Sequence, residues 1–72
     1  MLKIKDSVDL KELEKFGLQL LFCPKDVYVK FSYNLTIDIK VNEYREVIVF
    51  SNRGAEILFD LIQAGLVEKV GG

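Results

Sequence analysis

The chain opens with alternating apolar and polar residues, from Leu2 to Asp6, which predicts a short first strand. Apolar residues then recur at helical spacing, with charged residues between them, at Leu10, Leu13 and Phe16. Gly17 is suited to end this helix, because glycine adopts the left-handed conformation without a Cβ clash. The apolar run from Leu18 to Cys23 predicts a second strand, and Pro24 to Asp26 predict a turn.

Two longer segments in the middle of the chain alternate with a period of two. In 27–33 and 35–41 every second residue is apolar, which is typical of half-buried strands, here joined by a turn at Asn34. The alternation predicts a buried face of Val29, Phe31, Ile37 and Ile39, with Lys30 and Lys40 on the other face. The segment 44–50 is apolar on both faces, so we expect a further strand that is central or covered on both sides.

The strongest helical pattern lies near the end of the chain. Ser51 and Asn52 can cap a helix that ends at Gly65, and an extended segment follows over 66–70. The core stripe of this helix is Ile57, Leu58, Leu61 and Ile62. The predicted order is therefore β-α-β-β-β-β-α-β. We predict a single α+β domain over residues 1–72, with an antiparallel β-meander of about four strands, two helices packed on one face and short terminal strands.

The charge balance argues against several classes of protein. Ten basic and eleven acidic residues give a formal net charge of −1, and the chain has no histidine. Binders of duplex nucleic acid usually carry a basic field, and a membrane span needs roughly 18 consecutive apolar residues. The sequence offers neither, and its first residues lack the apolar run of a signal peptide. We therefore expect a cytoplasmic protein.

No group of residues indicates an active site. Asp6 and Asp9 stand where they would cap the first helix, and Cys23 is most simply a small buried side chain. The segment 51–54 could bind an anion at a helix N-terminus, although ordinary capping is the simpler interpretation. Gly71–Gly72 is interpreted as a flexible end. We expect no enzymatic activity, no cofactor and no metal.

A hydrophobic fraction of 50% is high for 72 residues, so we expect apolar surface outside the core that binds a protein partner or a second copy. Phe59 falls beside the core stripe of the last helix, near Ala55, and is the leading anchor for such a contact. Tyr28 and Tyr44 are the other candidate contact residues. The alternative is a nucleic-acid-binding accessory domain whose open sheet face presents Tyr28, Lys30, Thr36, Lys40 and Arg45.

Two parts of the chain resemble a known group of proteins. The opening, Leu2 to Asp6 with Asp9 to Gly17, and the close, Asp60 to Val70, are similar to small uncharacterised proteins of Gram-positive bacteria and their phages. Together they cover about a third of the chain. The resemblance implies a small cytosolic accessory protein of bacterial or phage origin, and it brings no assigned chemistry.

Overall fold

The computed structural model describes residues 1–21 and 27–70. Its strands are β1 (Leu2–Ile4), β2 (Gln19–Leu21), β3 (Val27–Phe31), β4 (Ile37–Val41), β5 (Val47–Val49) and β6 (Val67–Lys69). A 3₁₀ helix, Leu10–Phe16, follows β1, and an α-helix, α1 (Asn52–Gln63), lies between β5 and β6. The predicted element order is confirmed, but the first helix is 3₁₀ rather than α. The interpretations of Cys23, of the turn at Pro24 to Asp26 and of Gly71–Gly72 lie outside the described residues.

The strands form two antiparallel sheets. In one sheet β2, β3, β4 and β5 are neighbours in sequence order, and in the other β1 pairs with β6. The two sheets meet where Lys3 bridges to Glu46, and there the Ile4 N–H donates to the Arg45 carbonyl at 2.8 Å. The predicted α+β fold, a four-stranded antiparallel meander with two helices, is confirmed.

The main core lies between the four-stranded sheet and the helices. Its buried members are Ile4, Leu13, Leu18, Tyr28, Ile39, Val41 and Leu61. Because this group draws on both helices and on β3 and β4, the two helices share one face of the sheet. Of the predicted stripe on α1, Leu61 is buried, Ile57 and Leu58 pack against the core, and Ile62 is exposed.

Both helices end with the same backbone motif. Gly17 and Gly65 have φ values of 91° and 78°, in the left-handed region that glycine favours. The Leu18 N–H donates to the Leu13 carbonyl at 3.3 Å, and the Leu66 N–H donates to that of Leu61 at 3.1 Å. These are bonds of the Schellman motif, which brings a leucine from each side of the glycine to the core. The two predicted glycine stops are confirmed.

The pairing of β3 with β4 contains a register shift. Next to the turn, Phe31 lies opposite Ile37, but Lys30 lies opposite Ile39, so Asp38 is an extra residue in β4. A bulge of this kind moves every later pair by one residue and exchanges the faces on which their side chains lie.

The predicted buried face is therefore wrong for part of the sheet. Ile39 shares the helix-facing side with Lys30, whereas Val29 lies on the other side, opposite Lys40. Lys30 is half-buried, and its Nζ donates to the Phe31 carbonyl at 2.9 Å. We call the side of the four-stranded sheet that faces away from the helices the outer face.

Strand β5 lies at an edge of the four-stranded sheet, which corrects the expectation of a central or doubly covered strand. It pairs with β4 alone within that sheet and is shorter than the segment 44–50. Ile48 and Phe50 are consequently exposed. One apolar face of this segment packs toward α1, and the other remains at the surface.

Helix α1 begins in close contact with β4. Ser51 caps the helix by accepting a hydrogen bond from the Gly54 N–H at 3.1 Å, and its hydroxyl donates to the buried Asp38 carboxylate at 2.7 Å. A Cβ atom on Gly54 would lie 1.9 Å from the Asp38 carbonyl oxygen. The helix can approach the strand this closely because residue 54 has no side chain.

Candidate interaction surface

The outer side of α1 carries the first candidate surface. Phe59 is 59% exposed, and Ala55, one turn earlier, is exposed as well. Ile62, three residues after Phe59, adds a further exposed apolar side chain on the same side. We call Ala55, Phe59 and Ile62 the α1 stripe. The helix packs through Leu58 and Leu61, so the α1 stripe lies at the border of the core. This is the position that helical spacing predicted for Phe59.

The two tyrosines predicted as contact residues occupy different environments. Tyr28 is only 4% exposed, because it lies opposite Val41 on the helix-facing side and belongs to the core. Its prediction as a surface residue is wrong. Tyr44 is exposed in the β4–β5 loop, where its backbone N–H donates to Asn42 Oδ1 at 2.9 Å. Tyr44 therefore lies on the surface, but it belongs to the β4–β5 loop and not to the α1 stripe.

The residues of the predicted nucleic-acid surface do not form one face. Tyr28 is in the core, and Lys30 lies on the helix-facing side. Arg45 is engaged by the chain itself, since its Nη1 donates to the carbonyls of Lys5 and Val8, at 2.8 Å each. Lys40 is on the outer face and Thr36 is in the β3–β4 loop. This arrangement supplies neither a basic field nor a row of exposed aromatic side chains.

The loop between β3 and β4 carries a second exposed apolar surface. Tyr33 is 95% exposed and Leu35 is 80% exposed. In the sequence both residues continue the alternation of the flanking strands, so the pattern assigns them to strands. The sequence feature that indicates the loop is Asn34 between them, because a turn residue places its two neighbours in the loop.

Polar side chains hold this loop in one conformation. The Thr36 hydroxyl donates to Asn34 Oδ1 at 2.8 Å and lies 2.7 Å from the Ser32 hydroxyl, which also donates to Asn34 Oδ1. The backbone closes the loop, because the Ser32 N–H donates to the Thr36 carbonyl at 2.7 Å. Tyr33 and Leu35 therefore project from an ordered loop.

Two pockets combine charges of both signs. A pocket of 530 Å³ lies beside the start of the 3₁₀ helix, and its charged lining residues are Asp6, Asp9, Lys11 and Arg45. A pocket of 210 Å³ lies between α1 and the sheet and is lined by Phe16, Lys30, Asp38, Arg53, Glu56 and Ile57. Neither lining has the single-sign charge that selects an anion or a cation. Within residues 1–21 and 27–70, no cluster of carboxylates or thiols is arranged to hold a metal ion.

The N-terminus of α1 is already occupied. The Ser51 hydroxyl accepts a hydrogen bond from the Gly54 N–H, and it donates one to the Asp38 carboxylate. An acidic side chain at this end is favourably placed with respect to the helix dipole. The geometry therefore agrees with capping rather than with an anion site over 51–54.

Charged side chains at the surface form local pairs. Lys15 Nζ lies 2.8 Å from Glu12 Oε2, and Lys3 Nζ lies 3.3 Å from Asp6 Oδ1. The hydrogen bond that Lys15 donates to the Glu12 carboxylate, together with the charge of that carboxylate, raises the pKa of Lys15. Exposed pairs of this kind contribute little to stability and indicate no acid–base chemistry.

In the described part of the chain, no helix has the length and apolar character needed to cross a membrane. Comparison of the chain with protein-family models, with curated proteins and with solved structures found no match. The function must therefore be inferred from the geometry of the molecule.

Proposed function

We propose that this chain is a small cytoplasmic accessory module that acts by binding a protein partner or a second copy of itself. The observation that carries the proposal is the exposure of Phe59 in the α1 stripe. Leu58 and Leu61 already join α1 to the core, so Phe59 adds little to the packing of the fold. A large aromatic side chain held at the surface by a stable helix is a typical anchor of a protein interface.

The neighbours of Phe59 fit this role. Ala55 is small and exposed, and Ile62 extends the apolar strip along the helix. Glu56, Asp60 and Gln63 are polar and exposed, and they can form the polar rim that surrounds an apolar interface centre. Nucleic acid is the less supported partner, because the stripe carries no basic residue.

The test is Phe59→Ser, with Asn52→Ser, at an exposed position of the same helix outside the stripe and its rim, as the matched control. Thermal melting, light scattering and capture of partners from a bacterial lysate are measured for both variants. The proposal expects Phe59→Ser to keep its melting temperature and to lose a partner that Asn52→Ser retains. Unchanged association in Phe59→Ser would exclude the stripe, and a large fall in melting temperature would assign Phe59 to the core.

A further inference from the structure

The smaller pocket, between α1 and the sheet, brings together four charged side chains from three elements. Lys30 belongs to β3, Asp38 to β4, and Arg53 and Glu56 to the first turns of α1. Within residues 1–21 and 27–70 none of the four forms an ion pair, although exposed pairs do form elsewhere on the surface. Two positive and two negative groups therefore line one cavity without neutralising each other in pairs.

The two charges contributed by the sheet are held in place by the fold. Lys30 Nζ donates to the Phe31 carbonyl at 2.9 Å, and its stem lies against Gly17, where a Cβ atom would stand 3.1 Å from Lys30 Cε. Asp38 is the extra residue of the bulge in β4, and bulges are common beside binding sites because they re-aim a side chain. Groups that are already ordered lose little entropy when a ligand binds them.

One oxygen of the Asp38 carboxylate is left for a ligand. In the described part of the chain the Ser51 hydroxyl is the only donor to this carboxylate, and it occupies Oδ1. No buried side-chain oxygen in that part lacks a hydrogen-bond partner, so Oδ2 is accessible from the pocket that Asp38 lines. A carboxylate oxygen that reaches a cavity from an otherwise buried side chain is a strong acceptor for an ammonium group.

The charges of the lining select a molecule that carries both signs. A simple cation would be repelled by Lys30 and Arg53, and a simple anion by Asp38 and Glu56. A molecule with one positive and one negative group can meet all four favourably. The cavity volume of 210 Å³ equals that of about seven water molecules, which suits a ligand of amino-acid size.

We propose that this pocket binds an α-amino acid with an apolar side chain. Its ammonium group is held by Asp38 and Glu56, and its carboxylate by Arg53, whose planar guanidinium suits a carboxylate and has no partner in the described part of the chain. Phe16 and Ile57, which are both half-buried, supply the apolar walls for the side chain. The site goes beyond the proposed function, because it lies on the sheet side of α1 and uses no residue of the α1 stripe.

The test is a titration of the natural chain, followed by nitrogen–proton correlation spectra, with three ligands that share one apolar body. L-leucine carries both charged groups, 3-methylbutylamine only the ammonium group, and 4-methylpentanoate only the carboxylate. Leucine should shift the amide signals of Lys30, Asp38 and Ile57. It should bind at least about tenfold more tightly than either of the other two, since each of them lacks a charged hydrogen bond. No shift up to the solubility limit of leucine, or equally tight binding of either single-charge ligand, would overturn the inference.

Two exposed residues of the pocket can be changed without disturbing the core. Arg53→Gln should weaken leucine at least about tenfold but not 3-methylbutylamine, and Glu56→Gln should weaken leucine and the amine but not 4-methylpentanoate. Lys69→Gln and Glu68→Gln, at exposed positions of β6, remove the same charges outside the pocket and should leave all three affinities unchanged. Equal losses in the pocket variants and their controls would attribute binding to the overall charge of the chain and overturn the inference.

Discussion

Val29 lies directly opposite Lys40 across the β3–β4 pair. The pairing places Val29 on the outer face, although it is only 1% exposed, and leaves Ile39 on the side that packs against the helices. It follows from one extra residue, Asp38, whose carbonyl accepts from the Phe50 N–H at 2.9 Å and whose carboxylate accepts from the Ser51 hydroxyl. Asp38 thus connects the register of the sheet to the start of α1.

The close approach of α1 to β4 predicts that Gly54→Ala is strongly destabilising. Alanine is the better helix former, but its Cβ would stand 1.9 Å from the Asp38 carbonyl oxygen, so the helix or the strand must move. Overpacking of this kind costs about 1–3 kcal/mol or more. Chemical denaturation measures the loss. In Gly65→Ala the new Cβ meets nothing within 4 Å, but φ is +78°, so its cost should be strain alone, about 1–2 kcal/mol. A Gly54→Ala variant as stable as the natural chain would contradict the observed packing.

Leu61 should be the most sensitive position of α1. It is fully buried, and Leu66 reaches the same core through the motif that ends the helix. Leu61→Ala should lower the free energy of unfolding by about 2–5 kcal/mol, through lost burial and a residual cavity. Ile62→Ala, at an exposed neighbouring position, should lower it by less than about 1 kcal/mol. Equal effects of the two substitutions in denaturant titrations would mean that the helix is rotated.

Ser51→Ala should remove two hydrogen bonds that one hydroxyl makes. The helix loses its cap at the Gly54 N–H, and the buried Asp38 carboxylate loses the hydroxyl that donates to it. The expected loss in free energy of unfolding is about 1–3 kcal/mol. Asn52→Ala, at the next and exposed position, serves as the control and should change little. If both variants unfold at the same denaturant concentration as the natural chain, the bond between Ser51 and Asp38 does not stabilise the fold.

The sequence pattern was sufficient to locate the helices and strands, but not to assign which side of each strand faces the core. Glycine at 17 and 65, the cap at Ser51 and the leucine at 61 have local causes, so spacing alone could locate them. The bulge has a non-local cause, because Asp38 is held by β5 and by the start of α1. The alternation of β4 continues through Asp38 without any break, so a period-two pattern cannot reveal that a residue is unpaired.

The residues of the candidate surfaces were likewise predicted correctly only where their position depends on local structure. Helical spacing correctly placed Phe59 beside the core stripe, since the position of a residue around a helix depends on the helix alone. Tyr28 was misplaced because its face depends on the register of β3 with β4. Tyr33 and Leu35 were assigned to strands, whereas the hydrogen bonds of Ser32, Asn34 and Thr36 make them part of a loop.

The most direct measurement of the central claim, that apolar side chains outside the core are contact surfaces, is a set of nitrogen–proton correlation spectra from micromolar to millimolar protein. The account predicts amide signals that shift with concentration at exposed apolar residues, namely Phe59 and Ile62 of the α1 stripe or Tyr33 and Leu35 of the β3–β4 loop, with those of buried Leu61 unchanged. Spectra that do not change with concentration, or shifts confined to buried residues such as Leu61, would contradict it.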